Sequence, residues 1–179
     1  MHHQIPLFDD TDLLGPTTPD DRNRFATLAP TDLTDGEKDS LIALALRVLE
    51  PAVRYDVFTD AESTKRFLRL RFAREPNELF ACAYLDTRHR LIELAELFRG
   101  TIDGCSVHPR VVAQHALALG AGACILAHNH PSGDPSPSAA DIRITERIRE
   151  VVALFDIRVL DHIIVGRDGA VSLAAEGHL

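Results

Sequence analysis

The sequence predicts an α/β domain in which helices cover the faces of a mixed β-sheet. Two observations carry that expectation. From residue 79 onward the segments read strand, strand, helix, strand, helix, strand, strand, and a helical segment precedes them. One of those strands, Ile157 to Val165, is apolar almost without interruption, the pattern of a strand buried on both faces. The chain can support such a core: 45% of its 179 residues are hydrophobic and 26% charged, which fits one domain, or one domain with an appendage.

The segments follow in order. Residues 1–36 hold Pro6, Pro16, Pro19 and Pro30 and no apolar periodicity. They carry Asp9, Asp10, Asp12, Asp20, Asp21, Asp32 and Asp35 against only Arg22 and Arg24. This is expected to be a flexible acidic arm. Glu37 to Glu50 reads as the first helix, with Leu41, Ile42, Leu44, Ala45, Val48 and Leu49 at the spacings of one buried face. Asp35-Gly36 supplies its start and Pro51 its stop. Residues 37–60 thus form a short helical N-terminal region ahead of the main domain, 61–179. Asp60 to Arg74 is a second helix with Phe67, Leu68, Leu70 and Phe72 as its apolar members and Pro76 beyond its end. Its Lys65, Arg66, Arg69, Arg71 and Arg74 read as a solvated helix face, with an anion-binding patch as the alternative.

Leu79 to Leu85 and Leu91 to Phe98 flank the polar turn Asp86 to Arg90 and predict a hairpin. Pro109 suits the first position of a helix that Gly120 closes. Gly122 to Ala127 is a strand, Ser138 to Leu154 a long helix and Ile157 to Val165 a strand. Asp168-Gly169 then turns into a last short strand, Ala170 to Leu173.

The formal charge of −8 argues against nonspecific nucleic-acid binding, which rests on phosphate neutralisation. Apolar runs such as Ala43 to Leu46 and Ala121 to Ala127 fall far short of the roughly 20 residues of a membrane span. The N-terminus lacks the basic start and apolar stretch of a secretory signal, so a cytoplasmic protein with no membrane partner is expected. Cys82, Cys105 and Cys124 form no Cys-x-x-Cys pair, and buried small hydrophobes are the expected reading.

The chemistry concentrates after the strand Gly122 to Ala127. His128 and His130 are two apart, so in an extended chain both imidazoles point the same way. Asp141 follows one turn into the next helix, across a Pro-, Ser- and Gly-rich loop, giving His-x-His-x(10)-Asp. Two imidazoles and a carboxylate suit zinc (Zn2+) and leave a fourth position open, for which hydrolysis is the natural use. Ser138-x-x-Asp141 is equally a helix N-terminal signal, with Ser138 as cap and Asp141 near the positive end of the dipole. A cap alone, however, does not call for two histidines at the end of the preceding strand. A zinc deaminase would need His-x-Glu and Pro-Cys-x-x-Cys, and both are missing.

His128-x-His130-Pro131 with Ser138-x-x-Asp141 resembles the JAMM (MPN-type) zinc metalloprotease motif. The longer set of matches resembles its bacterial RadC branch over roughly residues 62 to 177. That set comprises Gly100-Thr101-Ile102, Val107-His108-Pro109-Arg110, His128 through Pro135, Asp141-Ile142 and Asp161-His162-Ile163-Ile164. The resemblance implies a three-layer α/β/α fold of the cytidine-deaminase-like type, with zinc held by His128, His130 and Asp141. It also implies that Glu78 takes a proton from the attacking water and passes it to the leaving amine, with Glu93 and Glu96 as fallback bases. Ser138 would help bind the tetrahedral oxyanion while capping its helix.

By the same resemblance the substrate is an unknown protein or peptide. The family's traditional name adds the alternative of a DNA-repair or recombination factor using the domain as a scaffold. Two departures stand out. Val111 replaces the glutamate that usually follows the His-Pro-Arg triplet, and residues 31–56 keep only a shortened remnant of the helix-hairpin-helix-like region of longer members. Of the remaining candidates, Asp161-His162 reads as a pair supporting a ligand or as a satisfied buried pair. Thr145 reads as bonded to a ligand or to its own helix. His108 and Arg110 can bind an anion at a helix start, and His89, His115 and His178 are expected on the surface without partners.

Overall fold

The computed structural model describes residues 29–53, 58, 60–100 and 106–179. The acidic arm up to residue 28, Cys105, and Thr101 and Ile102 of the glycine-threonine-isoleucine motif lie outside the described residues. The chain divides into two units between Ser40 and Leu41, each described by itself.

Among its described residues the first unit contains a 3-10 turn, Pro30–Asp32, and then the start of helix α1, Asp35–Val53. The start differs from the expected Asp35-Gly36. Thr34 and Glu37 form a capping box, with the Glu37 N–H donating to Thr34 Oγ1 at 3.3 Å and the Thr34 N–H to Glu37 Oε2 at 2.8 Å. This satisfies two backbone donors that an Asp35 start would leave open. Nor does Pro51 stop the helix. It sits inside the last turn, where its missing N–H removes one hydrogen bond without ending the coil.

Within the second unit, the stretch of α1 from Leu41 onward also departs from expectation. Leu44 and Val48 are 41% and 69% exposed, and Leu46 is the residue that packs on the core. Helix α2, Ala61–Phe72, is capped by Asp60, whose Oδ1 accepts from the N–H groups of Glu62 and Ser63, both at 2.9 Å. The rest follows the predicted order: β1 Leu79–Leu85, β2 Leu91–Arg99, α3 Pro109–Leu119, β3 Ala123–Asn129, α4 Ala139–Ala153, β4 Arg158–Val165 and β5 Ala170–Ser172.

The five strands form one mixed sheet in the order β2-β1-β3-β4-β5. β1 is antiparallel to β2 and β3, β3 runs parallel to β4 through the α4 crossover, and β5 returns antiparallel. β1 and β3, at the centre, are buried throughout. Strand alternation sorts their side chains into two cores. Phe80, Cys82, Tyr84, Cys124 and Leu126 meet Val112, Ala116, Ile148 and Val152 of α3 and α4. Leu79, Ala81, Leu85, Ile125 and Ala127 meet Phe67, Leu68 and Phe72 of α2. The result is the three-layer α/β/α arrangement the resemblance implied.

Register determines what gathers at one end of the sheet. Phe80 lies opposite His128 across the antiparallel β1–β3 pair, so Glu78 stands at the level of His130. The start of α4 returns to the same end. In open α/β sheets this position, beyond the carboxyl ends of parallel strands, is where ligands bind.

Candidate metal centre

The expected strand Gly122 to Ala127 runs two residues further, to Asn129, which fixes His128 rigidly inside β3. His128 is 1% exposed, and its ring stacks on Phe80 with centroids 6.2 Å apart. His130 is the first residue past the strand, and its backbone N–H donates to the Val165 carbonyl at 2.8 Å. Asp141 arrives on the first turn of α4. There the Asp141 N–H donates to Ser138 Oγ at 3.1 Å and the Ser138 N–H to Asp141 Oδ2 at 2.8 Å. The aspartate is therefore part of a cap and also turned toward the histidine pair.

The donor atoms converge. His128 Nε2 lies 2.9 Å from His130 Nε2 and 3.4 Å from Asp141 Oδ1, and His130 Nε2 lies 3.6 Å from Asp141 Oδ2. Tetrahedral zinc with bonds of about 2.0–2.1 Å places its ligand atoms roughly 3.3 Å apart, so this triangle is of the right size. Among the described residues these three are the group that could hold a metal ion, their ligand atoms all within 4.8 Å of one another.

Hydrogen bonding turns the Nε2 atom of each histidine toward the centre. His130 Nδ1 donates to the Asp134 carbonyl at 2.7 Å, so the neutral ring has its free pair on Nε2. For His128 the assignment runs through three links. The Asp141 carbonyl can only accept, so the Thr145 hydroxyl donates to it at 2.6 Å. Thr145 Oγ1 must then accept from His162 Nδ1, also at 2.6 Å. His162 Nε2 in turn accepts from His128 Nδ1 at 2.8 Å, which leaves His128 Nε2 unprotonated. Two imidazole Nε2 atoms thus oppose each other at 2.9 Å beside a carboxylate, an arrangement that suits a cation between them.

The electrostatics differ between the two ligand rings. Burial holds His128 neutral, its pKa pushed down to about 4 despite the Asp141 charge. Burial likewise holds His162 well below the usual histidine range. His130, half-buried, is raised, chiefly by its hydrogen bond to Asp141 and with a smaller contribution from the charge of Glu78. Burial acts to raise Asp141, but His130, His128 and Ser138 together outweigh it and hold the carboxyl below its ordinary value.

Glu78, just ahead of β1, belongs to this neighbourhood through its charge on His130. Asn129 fixes its backbone on both sides: Asn129 Oδ1 accepts from the Leu79 N–H at 2.8 Å and Nδ2 donates to the Asn77 carbonyl at 2.9 Å. This residue carried no signal beyond its place in the motif. Between two histidines on a strand it had to face the opposite side, where only a side chain that both donates and accepts can clamp a backbone segment. The loop from Pro131 to Pro137 is held by the β4–β5 turn, with the Arg167 N–H donating to the Gly133 carbonyl at 2.8 Å.

Other candidates lie elsewhere. Glu93 pairs with His115 at 3.0 Å, level with Tyr84, far along the sheet from His128, and Glu96 is engaged by Arg71 and Arg99. Neither fallback base reaches the centre. Asp161 and His162 do not act as a pair, because alternation turns their side chains apart. His162 faces the site, whereas Asp161 accepts from Ser172 Oγ and from the backbone N–H groups of His162 and Ala174. His115 and His89 are not partnerless: His115 also stacks on Tyr84, and His89 meets Arg158 at 3.0 Å. His108 stands at the start of α3 without a side-chain cap bond, its ring edge-on to Phe98. No helix among the described residues is long and apolar enough to cross a membrane.

Comparison with known proteins points the same way. The family model of the RadC-like JAB domain matches residues 58–178. A UPF0758 protein of Nitrosococcus oceani is 57% identical over 126 residues, 70% of this chain and 56% of that protein. One of Thioalkalivibrio sulfidiphilus is 56% identical over 130 residues, 73% of this chain and 58% of that protein. One of Vibrio cholerae is 51% identical over 141 residues, 74% of this chain and 89% of that protein. The chain thus spans little more than half the length of the first two.

Proposed function

The chain belongs to the RadC-like JAB-domain family, and from that premise and the geometry of its centre we propose that it is a zinc-dependent hydrolase of amide bonds in a peptide or isopeptide substrate. The observation that carries the reading is the pair of opposed imidazole Nε2 atoms beside Asp141. His128, His130 and Asp141 would hold the ion, which when bound would supply a Lewis acid that acidifies water and polarises a carbonyl. Three protein ligands leave room for substrate or water, as catalytic rather than structural zinc sites do.

The protein's own groups supply the remainder. Glu78 accepts the proton of the attacking water at its carboxylate and delivers it to the leaving nitrogen. Asn129 sets the position of that carboxylate through the backbone on either side. Ser138 keeps its Oγ at the N-terminus of α4, where a hydroxyl and the helix dipole favour developing negative charge on the carbonyl oxygen. His162 and Thr145 hold His128 in the tautomer that binds metal.

The test is hydrolysis of a panel of peptide and isopeptide substrates by the zinc-loaded chain. Activity should vanish with a chelator and return with zinc. Glu78→Gln should keep its zinc but lose about 10²–10⁴-fold in rate, the usual contribution of a general base. No chelator-sensitive cleavage, together with salt-dependent DNA binding, would favour a scaffold role instead.

A further inference from the structure

A cleft of about 550 Å³ opens on the side of His130 away from Asp141's helix, between α2 and the loop that follows β3. Its floor is apolar, from Leu70, Phe72 and Val165, and its rim carries Arg66, Arg69 and Arg167. Glu75 is the only carboxylate among its lining residues, and Arg99 already engages it. Among the described residues, Arg66 alone of the three rim guanidiniums has a side-chain hydrogen bond, to the neutral Ser63 Oγ at 3.0 Å, and it also feels the Asp60 charge. Arg69 and Arg167 thus border the hollow with no carboxylate partner among the described residues. The basic face of α2, which reads from sequence as solvated, here forms one wall of a site next to the candidate ligand His130.

We infer that this cleft is the specificity subsite for a peptide whose carboxylate side chains or terminus flank the bond to be cleaved. The inference rests on the hydrolase reading above. Guanidinium forks match carboxylates bidentately, and the apolar floor takes the methylene stem of a glutamate. A polynucleotide is the less suitable occupant. The volume is that of a small-ligand pocket rather than of a long groove tracking a phosphate backbone. The carboxyl end of β3 at Asn129 and His130 lines the same cleft, so a carboxylate seated here lies beside the candidate metal centre.

The experiment is fluorescence anisotropy on the zinc-loaded full chain with rhodamine-labelled (Gly-Glu)4, its (Gly-Gln)4 and (Gly-Lys)4 counterparts, and a labelled ten-residue oligothymidine. The glutamate peptide should bind at least about tenfold tighter than the glutamine peptide, and Arg69→Gln/Arg167→Gln should erase that difference. Arg69→Glu/Arg167→Glu should shift the preference toward the lysine peptide, a gain that loss of folding cannot produce. No glutamate preference, or a preference that survives the arginine substitutions, overturns the inference, as does oligothymidine binding more tightly through the same arginines. Because binding is read without turnover, the subsite can stand while the hydrolase reading fails, and the reverse.

Discussion

Thr145 fixes the proton order of the whole centre although it touches neither substrate nor metal. Its hydroxyl must donate to the Asp141 carbonyl, and that single constraint passes through His162 to His128. Thr145→Val keeps the shape and removes the relay. It leaves the buried His162 Nδ1–H unpaired, at a cost of about 1–3 kcal/mol, and should weaken zinc binding about 10–100-fold with all three ligands intact. Competition against a chromophoric chelator measures this, and unchanged affinity would show that the tautomer is set some other way. Asn129 acts on the other partner. Asn129→Ala frees the Asn77 carbonyl and Leu79 N–H around Glu78, so it should lower kcat far more than zinc content. A fall in both together would make it a merely structural residue.

At the scale of elements, the loop from His130 to Ser138 is held from below. A Cβ at Gly166 would run into the Gly133 carbonyl and Pro135, so Gly166→Ala should push the loop outward and take the Asp134 carbonyl from His130. Zinc affinity should drop with little change in helix content, and circular dichroism with metal titration separates the two.

Nearly every element of the second unit was legible in its period and punctuation: the Asp86 turn, Pro109, Gly120 and the Ser138 cap. Helix α1 was not. Its apolar residues are numerous enough to trace several faces, and burial was assigned to Leu44 and Val48 when Leu46 packs inward. The histidine pair and Asp141 were legible because strand period and a cap point them together. Asn129 and the arginine cleft were not, since each depends on a partner from a distant segment.

The whole molecule ties the centre to stability. His128 and His162 are held neutral by burial, so the unfolded chain takes up protons that the metal-free folded chain refuses. Stability of the chelated protein should be full above pH 6.5 and fall as pH drops toward about 4, the folded value of His128. Asp141, held low, acts in the same sense, while His130, raised, opposes it. Urea titrations at pH 7 and 5 check this. His162→Gln should flatten the difference, and equal stability at both values would mean that the histidines are not buried neutral.

Zinc binding by His128, His130 and Asp141 is checked by metal analysis of the purified chain beside His128→Ala, with circular dichroism to confirm that both are folded. The wild type should hold about one zinc per chain and the variant close to none. Equal zinc in the two, or none in the folded wild type after incubation with zinc, would contradict it.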